Sequence, residues 1–187
     1  GLNYAIFGLW RDYGNIVADT TNHNAVLRPL SALKTRGAKV RYAYPTDKMH
    51  ICASDVLPLV DKDTSFVCIN AVSNVTGEKN DFEEIGSELK KLGVPLIVDG
   101  AQAGGHIPID MKSSGINCLC LAGHKGLGAT QGAGVFIFDE SVEPTPLLFG
   151  GSGTESFALV PSSYPEKLEA GTLNLPAIKG LKQAIID

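Results

Sequence analysis

The chain has 187 residues, enough for one sizeable core or a large part of a bigger domain. Hydrophobic residues make up 44% and charged residues 19%, the balance of a soluble globular protein, and 20 acids against 16 bases leave a net charge of −4. No basic block points to nucleic acid or an anionic membrane, and no apolar run reaches the roughly 18–20 residues needed to span a bilayer.

Leu2 to Trp10 reads as the tail of a helix, and Asn15 to Ala18 as a short strand. Ala25 to Thr35 has helical spacing and is stopped by Gly37, with Arg28, Lys34 and Arg36 on its exposed face. Lys39 to Ala43 is the next strand, Ser54 to Val60 a short helix with Asp61-Lys62-Asp63 as its polar exit, and Phe66 to Asn70 a buried strand. Asp81 opens the clearest helix, capping its first turn. Glu83 and Glu84 favour the positive end of the helix dipole, Lys90 and Lys91 occupy the last turn, and Gly93 ends it. Pro95 to Asp99, Cys118 to Ala122 and Gly134 to Phe138 are further apolar runs, and Pro176 to Ile186 is a final helix.

Strands alternating with helices predict an α/β fold, a mostly parallel sheet with helices on both faces (an α/β/α sandwich). The pattern shows no internal repeat and no domain linker. Gly1 begins inside a helical pattern and Asp187 ends in one, so the chain is expected to be part of a larger protein. It begins without an initiator Met or the basic n-region of a signal peptide. Cys52, Cys68, Cys118 and Cys120 form no C-x-x-C pair, and three of them sit in apolar strand-like runs. They read as reduced, buried thiols of a cytoplasmic protein.

The chemistry concentrates between Leu96 and Lys125. One apolar strand ends in Asp99 with Gln102 in the following turn, and another ends in Gly123-His124-Lys125-Gly126. An acid, an amide, an imidazole and an amine thus meet at the carboxyl ends of two strands, the edge where open α/β sheets bind ligands. An Asp to hold a pyridinium nitrogen and a Lys to form a Schiff base are what pyridoxal 5'-phosphate (PLP) chemistry requires. Gly126 to Gly132 lacks the spacing of a phosphate-binding P-loop. His50 and His106 read as structural.

Five segments in order carry a resemblance: Thr21 to Leu30 (TNHNAVLRPL), Val72 to Gly77 (VSNVTG), Val98 to Ala103 (VDGAQA), Gly123 to Gly126 (GHKG) and Leu168 to Asn174 (LEAGTLN). The chain resembles the large domain of the class V aminotransferase family, PLP-dependent enzymes of fold-type I, and within it the cysteine desulfurase and selenocysteine lyase group. The resemblance implies that Lys125 holds PLP as a Schiff base and moves the substrate's α-proton, for which the amine must lose its charge. It implies that Asp99 pairs with the pyridine nitrogen, Gln102 bonds the phenolic oxygen, and His23 stacks on the ring and assists proton transfer. His124 is implied to contact the phosphate, and Asn74 to lie near the phenolic oxygen or the substrate carboxylate. Ser152, in the loop Gly150-Gly151-Ser152-Gly153-Thr154, is the candidate that reaches a partner subunit's phosphate in a homodimer. Glu169 to Asn174 either contacts the site or links into the last helix.

Departures accompany these matches. Ala122 stands where the family often carries Ser or Thr, Asn22 precedes the stacking histidine where Glu is usual, and Ala71 or Val72 replaces a frequent His. The phosphate-cradling turn falls before Gly1. The sulfur-accepting cysteine and the carboxylate-binding arginine of the group belong to a small C-terminal domain beyond this sequence, so residues 1–187 correspond to a partial PLP-binding large domain. The reading is a desulfurase converting L-cysteine to L-alanine and passing sulfur to an enzyme cysteine outside the chain, then to an acceptor protein. The alternatives are a class V aminotransferase or other PLP lyase acting on a small amino acid, or an inactive scaffold or fragment. No metal site is expected.

Overall fold

Period-two alternation in the strands builds the molecule. In a computed structural model, which describes residues 1–46, 49–151, 153 and 155–187, six strands form one sheet: β1 (Asn15–Asp19), β2 (Lys39–Ala43), β3 (Thr64–Asn70), β4 (Leu96–Asp99), β5 (Cys118–Ala122) and β6 (Gly134–Phe138). Their order is β2-β1-β3-β4-β5-β6. The first five run parallel, and β6 is antiparallel to β5, with Ala122 opposite Gly134.

Successive side chains leave opposite faces of the sheet. Val17, Val67, Ile69, Val98 and Leu119 point to one side, where α3 (Ala53–Val56) and α4 (Phe82–Leu92) bury Val56, Phe82, Ile85 and Leu89 against them. Ile16, Ala18, Phe66, Cys68, Ile97, Cys118 and Cys120 point to the other side, covered by Ala5 and Ile6 of α1 (Leu2–Leu9) and by Val26, Leu30 and Leu33 of α2 (Asn24–Thr35). The expected three-layer architecture is therefore present. All seven residues of β3 are buried, including the polar Thr64 and Ser65 that start it, which is why the apolar run understated its length.

Three local expectations are corrected. Ser54 to Val60 is not one helix: α3 ends at Val56 and a 3-10 turn follows over Leu57–Leu59. Pro58 has no N–H to continue the α-helical ladder. Asp81 occupies the N-cap position of α4, but its side chain makes no capping hydrogen bond; it faces His50, with Nε2 3.5 Å from Oδ2. Gly93 does end α4 as expected, in the left-handed conformation (φ 67°), its N–H reaching the carbonyls of Leu89 and Lys90. The last helix, α5 (Leu175–Ile186), starts one residue earlier than the pattern placed it, because Asn174 caps it by accepting from the N–H of Ala177.

After β1 the chain moves outward to β2, then crosses back to build β3, β4 and β5 on the other side. The switch point between β1 and β3 opens a crevice at the carboxyl ends of the strands. A buried polar network lines its base. Asp19 Oδ1 accepts from the N–H and the hydroxyl of Thr21 at 2.7 and 2.6 Å, and Oδ2 accepts from the Asn22 amide at 2.6 Å and the Asn70 N–H at 3.2 Å. Asn80 donates to the Asn70 carbonyl and side-chain oxygen, each at 2.8 Å.

Burial lifts the Asp19 carboxyl to about 6 despite these donors. The folded protein therefore keeps a proton that the unfolded chain releases, between pH about 4 and about 6. Stability from this group is fully present below that window, falls as pH rises through it, and is flat above, a change of about 3 kcal/mol. Asp19→Asn should flatten this slope, read as urea midpoints of wild type and variant across the window. A variant that keeps the wild-type slope removes Asp19 as its source.

Candidate active site

The crevice is a cavity of about 1490 Å³. His23, Asn74, Asp99, Gln102, His124 and Lys125 all line it, so six of the seven sequence candidates share one space. Ser152 lies outside the described residues.

Each side chain arrives from the end of a strand. Asp99 closes β4 and is buried, 6% exposed. Its Oδ1 accepts from the N–H of Ala101 at 3.0 Å. Burial pushes its carboxyl above the usual carboxylate range, more than the charges of Lys125 and His23 and the Ala101 hydrogen bond pull it down. None of the ion pairs among the described residues involves Asp99. A buried carboxylate of this kind fits a cationic ring nitrogen, which would restore its ionised form.

Lys125 and His124 follow β5 in a turn where the Lys125 N–H donates to the Ala122 carbonyl at 3.3 Å. Lys125 is half-buried, while His124 and Asn74 are exposed on the cavity rim. His23 follows β1 at the N-cap of α2, where its Nδ1 accepts from the N–H of Ala25 at 3.1 Å. That bond fixes the imidazole's orientation and leaves Nε2 as the nitrogen available for proton exchange. The first turn of α1, Gly1 to Tyr4, also lines the cavity. Leu168, Glu169 and Ala170 add wall, while Asn174 caps α5. The last segment of the resemblance thus lines the cavity at one end and links into α5 at the other.

Asn70 and Arg28 are among the wall residues that the sequence did not propose for the site. Asn70 ends β3 as Asp99 ends β4, and that parallel was the available signal. Arg28 reaches the cavity from α2.

The turns bearing Gln102 and Lys125 meet closely at Gly105 and Gly126, with the His106 ring packed beside Gly126. A Cβ on Gly126 would lie 2.2 Å from the Gly104 carbonyl, and one on Gly105 (φ +83°) 2.1 Å from the Gly126 carbonyl. Gly126→Ala should therefore separate the turns at a cost of about 1–3 kcal/mol. It should appear as a lower thermal midpoint together with weaker PLP retention. An unchanged midpoint would mean that the seam tolerates a methyl group.

Cys68, Cys118 and Cys120 are poor nucleophiles here. Burial raises the thiols of Cys68 and Cys118 far above their ordinary value and pushes Cys120 up to about 12. An activated thiolate needs the opposite setting.

The family model for class V aminotransferases matches residues 1–186. The chain belongs to the class V aminotransferase family. It is 34% identical to a putative cysteine desulfurase, IscS 1, of Bacillus subtilis over 98% of this chain and 46% of that protein. The apo structure of a cysteine desulfurase from Thermococcus onnurineus superposes with a TM-score of 0.86 at 29% identity, covering 99% of this chain and 48% of the other. A structure described as SspA in complex with cysteine superposes with a TM-score of 0.85 at 27% identity, over 99% and 52% of the two chains. The class V chain spans about half the length of the curated relatives it matches. Its sheet is that of the fold-type I PLP enzymes, as the sequence motifs predicted. None of its helices, among the described residues, is long and apolar enough to cross a membrane.

Proposed function

We propose that the full-length protein is a PLP-dependent cysteine desulfurase that takes L-cysteine to L-alanine and delivers sulfur to a cysteine beyond residues 1–187. The observation that carries this reading is the convergence of Asp99, Gln102, His23 and Lys125 on one cavity at the strand ends. When bound, PLP would supply an electron-withdrawing ring that acidifies the substrate's α-proton and accepts the electrons left behind.

The chain's own residues divide the remaining work. Asp99 holds the proton on the ring nitrogen and keeps the ring cationic. Gln102 donates to the phenolic oxygen and orients the ring. His124 would contact the phosphate, and Ser152 of the partner subunit would add to it. Lys125 anchors the cofactor through its amine and then moves the proton at the substrate's Cα. His23 stacks on the ring and exchanges a proton through Nε2. Asn74 bonds the phenolic oxygen or the substrate carboxylate.

A homodimer is supported by Leu148, Phe149, Phe157 and Leu159, large apolar side chains exposed on either side of the glycine-rich loop. The acceptor would be a sulfur-carrying protein, and the compartment the cytoplasm.

The test is product analysis. Full-length protein given L-cysteine should yield alanine and an enzyme persulfide in equal amounts. Formation of 3-mercaptopyruvate with the amino group passed to the cofactor would instead establish transamination, pyruvate with free ammonia and sulfide would establish a lyase, and the absence of all these products would favour the scaffold reading.

A further inference from the structure

His50 and Cys52, on the segment entering α3, stand beside Asp81 at the start of α4. One ligand atom of each, a ring nitrogen, a sulfur and a carboxylate oxygen, lies within 4.8 Å of the other two. None of the three residues lines the PLP cavity. From this cluster we infer a binding site for a zinc-like divalent cation, held by His50, Cys52 and Asp81 with a fourth position left for water.

The carrying observation is the behaviour of Asp81. An aspartate at an N-cap ordinarily accepts from the first turn of its own helix. Asp81 makes no such bond and turns to His50. A cation shared with His50 and Cys52 gives that orientation a purpose.

The platform is rigid where it must be. The N–H of Asp81 donates to the Ile51 carbonyl at 3.0 Å, and the N–H of Ile51 donates to Asn80 Oδ1 at 2.8 Å. Ile51 and Asn80 are both buried, so the ligand-bearing segments are locked to each other on either side of the cluster. Cys52 Sγ accepts from the N–H of Asp55, which orients the sulfur, and the Asp55 carboxylate accepts from the N–H of Cys52 at 2.9 Å.

Charge and size agree with the assignment. A neutral imidazole, a thiolate and a carboxylate balance a dication. Neighbouring ligands in a tetrahedral zinc site are about 3.4–3.8 Å apart, from metal–ligand bonds of about 2.0–2.3 Å. The three ligand atoms, all within 4.8 Å of one another, stand at most about 1.4 Å beyond that spacing. Binding releases the Cys52 thiol proton to solvent and changes no oxidation state. All three residues are half-buried, so water can complete the coordination shell.

The test uses the PLP-loaded full-length protein and Co²⁺ as a spectroscopic stand-in for zinc. Wild type should bind one equivalent with a thiolate-to-cobalt charge-transfer band, seen as a difference spectrum against Cys52→Ser. Serine keeps the α3 cap while removing the sulfur ligand, so this variant should fold and lose the band. Asp81→Asn should weaken Co²⁺ binding by at least about tenfold, the scale at which even supporting residues of metal sites act. Zn²⁺ should raise the thermal midpoint of wild type and not that of Cys52→Ser. A band that persists in Cys52→Ser, or no stoichiometric Co²⁺ uptake by wild type, overturns the site. Neither result bears on alanine formation, so this site and the desulfurase reading stand or fall separately.

Discussion

Lys125→Ala in the full-length protein should lose all borohydride-stable pyridoxyl label and at least about 10³-fold of L-cysteine turnover. Two proposed functions would disappear together: the amine that anchors the cofactor, and the group that moves the α-proton, itself worth about 10²–10⁴-fold. The geometry makes substitution by a neighbour implausible. No ion pair among the described residues involves the Lys125 ammonium, so the side chain is not committed elsewhere. Its turn is pinned by the hydrogen bonds Lys125 N–H to Ala122 and Gly128 N–H to the Lys125 carbonyl, at 3.3 and 2.8 Å. Removal of the side chain should leave this backbone in place. Mass mapping after borohydride reduction is the decisive measurement. A pyridoxyl peptide that does not contain residue 125 in wild type, or label retained by the variant, would refute the role.

Asp99→Asn should separate catalysis from stability. Without the carboxylate, the ring nitrogen loses its counter-charge, and turnover should fall by about 10²–10³-fold, the scale set by removing one preorganised electrostatic partner. The apo-protein should lose nothing. Burial raises the Asp99 carboxyl, so the folded apo state holds its proton more tightly than the unfolded chain, and ionisation at neutral pH is a cost. Removing that ionisation leaves neutral-pH stability equal or higher. Paired kcat and urea-midpoint measurements read both effects. Full activity in the variant would end the proposed pairing, and a large drop in apo stability would make Asp99 a structural residue.

The site was legible to the extent that its chemistry sits at strand ends. Asp99 and Lys125 could be placed because apolar runs end abruptly beside them, and strand ends face the ligand edge. The antiparallel direction of β6 was also implicit, since the connection from Ala122 to Gly134 contains no helix to carry a parallel crossover. The polar network was hidden for a physical reason. Asp19 meets Asn70, and Asn80 meets Asn70 and Ile51, through partners distant in sequence, and local pattern carries no record of such pairings. Asp81 was misread because a cap motif specifies a position, whereas the tertiary neighbour His50 decides where the side chain points. The split of α3, by contrast, was readable from Pro58.

The strand order has a consequence for synthesis. β1 leaves the ribosome before its neighbour β3 and before the cavity-bearing strands β4 and β5. Until β3 has emerged the nascent chain displays an unpaired β1 edge, and until Lys125 has emerged the open edge of β3 or β4 and an incomplete crevice. Such edges invite mispairing during elongation. Capture of the proposed cofactor would therefore follow closure of the sheet centre, and a pause in translation between β2 and β5 would be the moment at which this polypeptide most needs a chaperone.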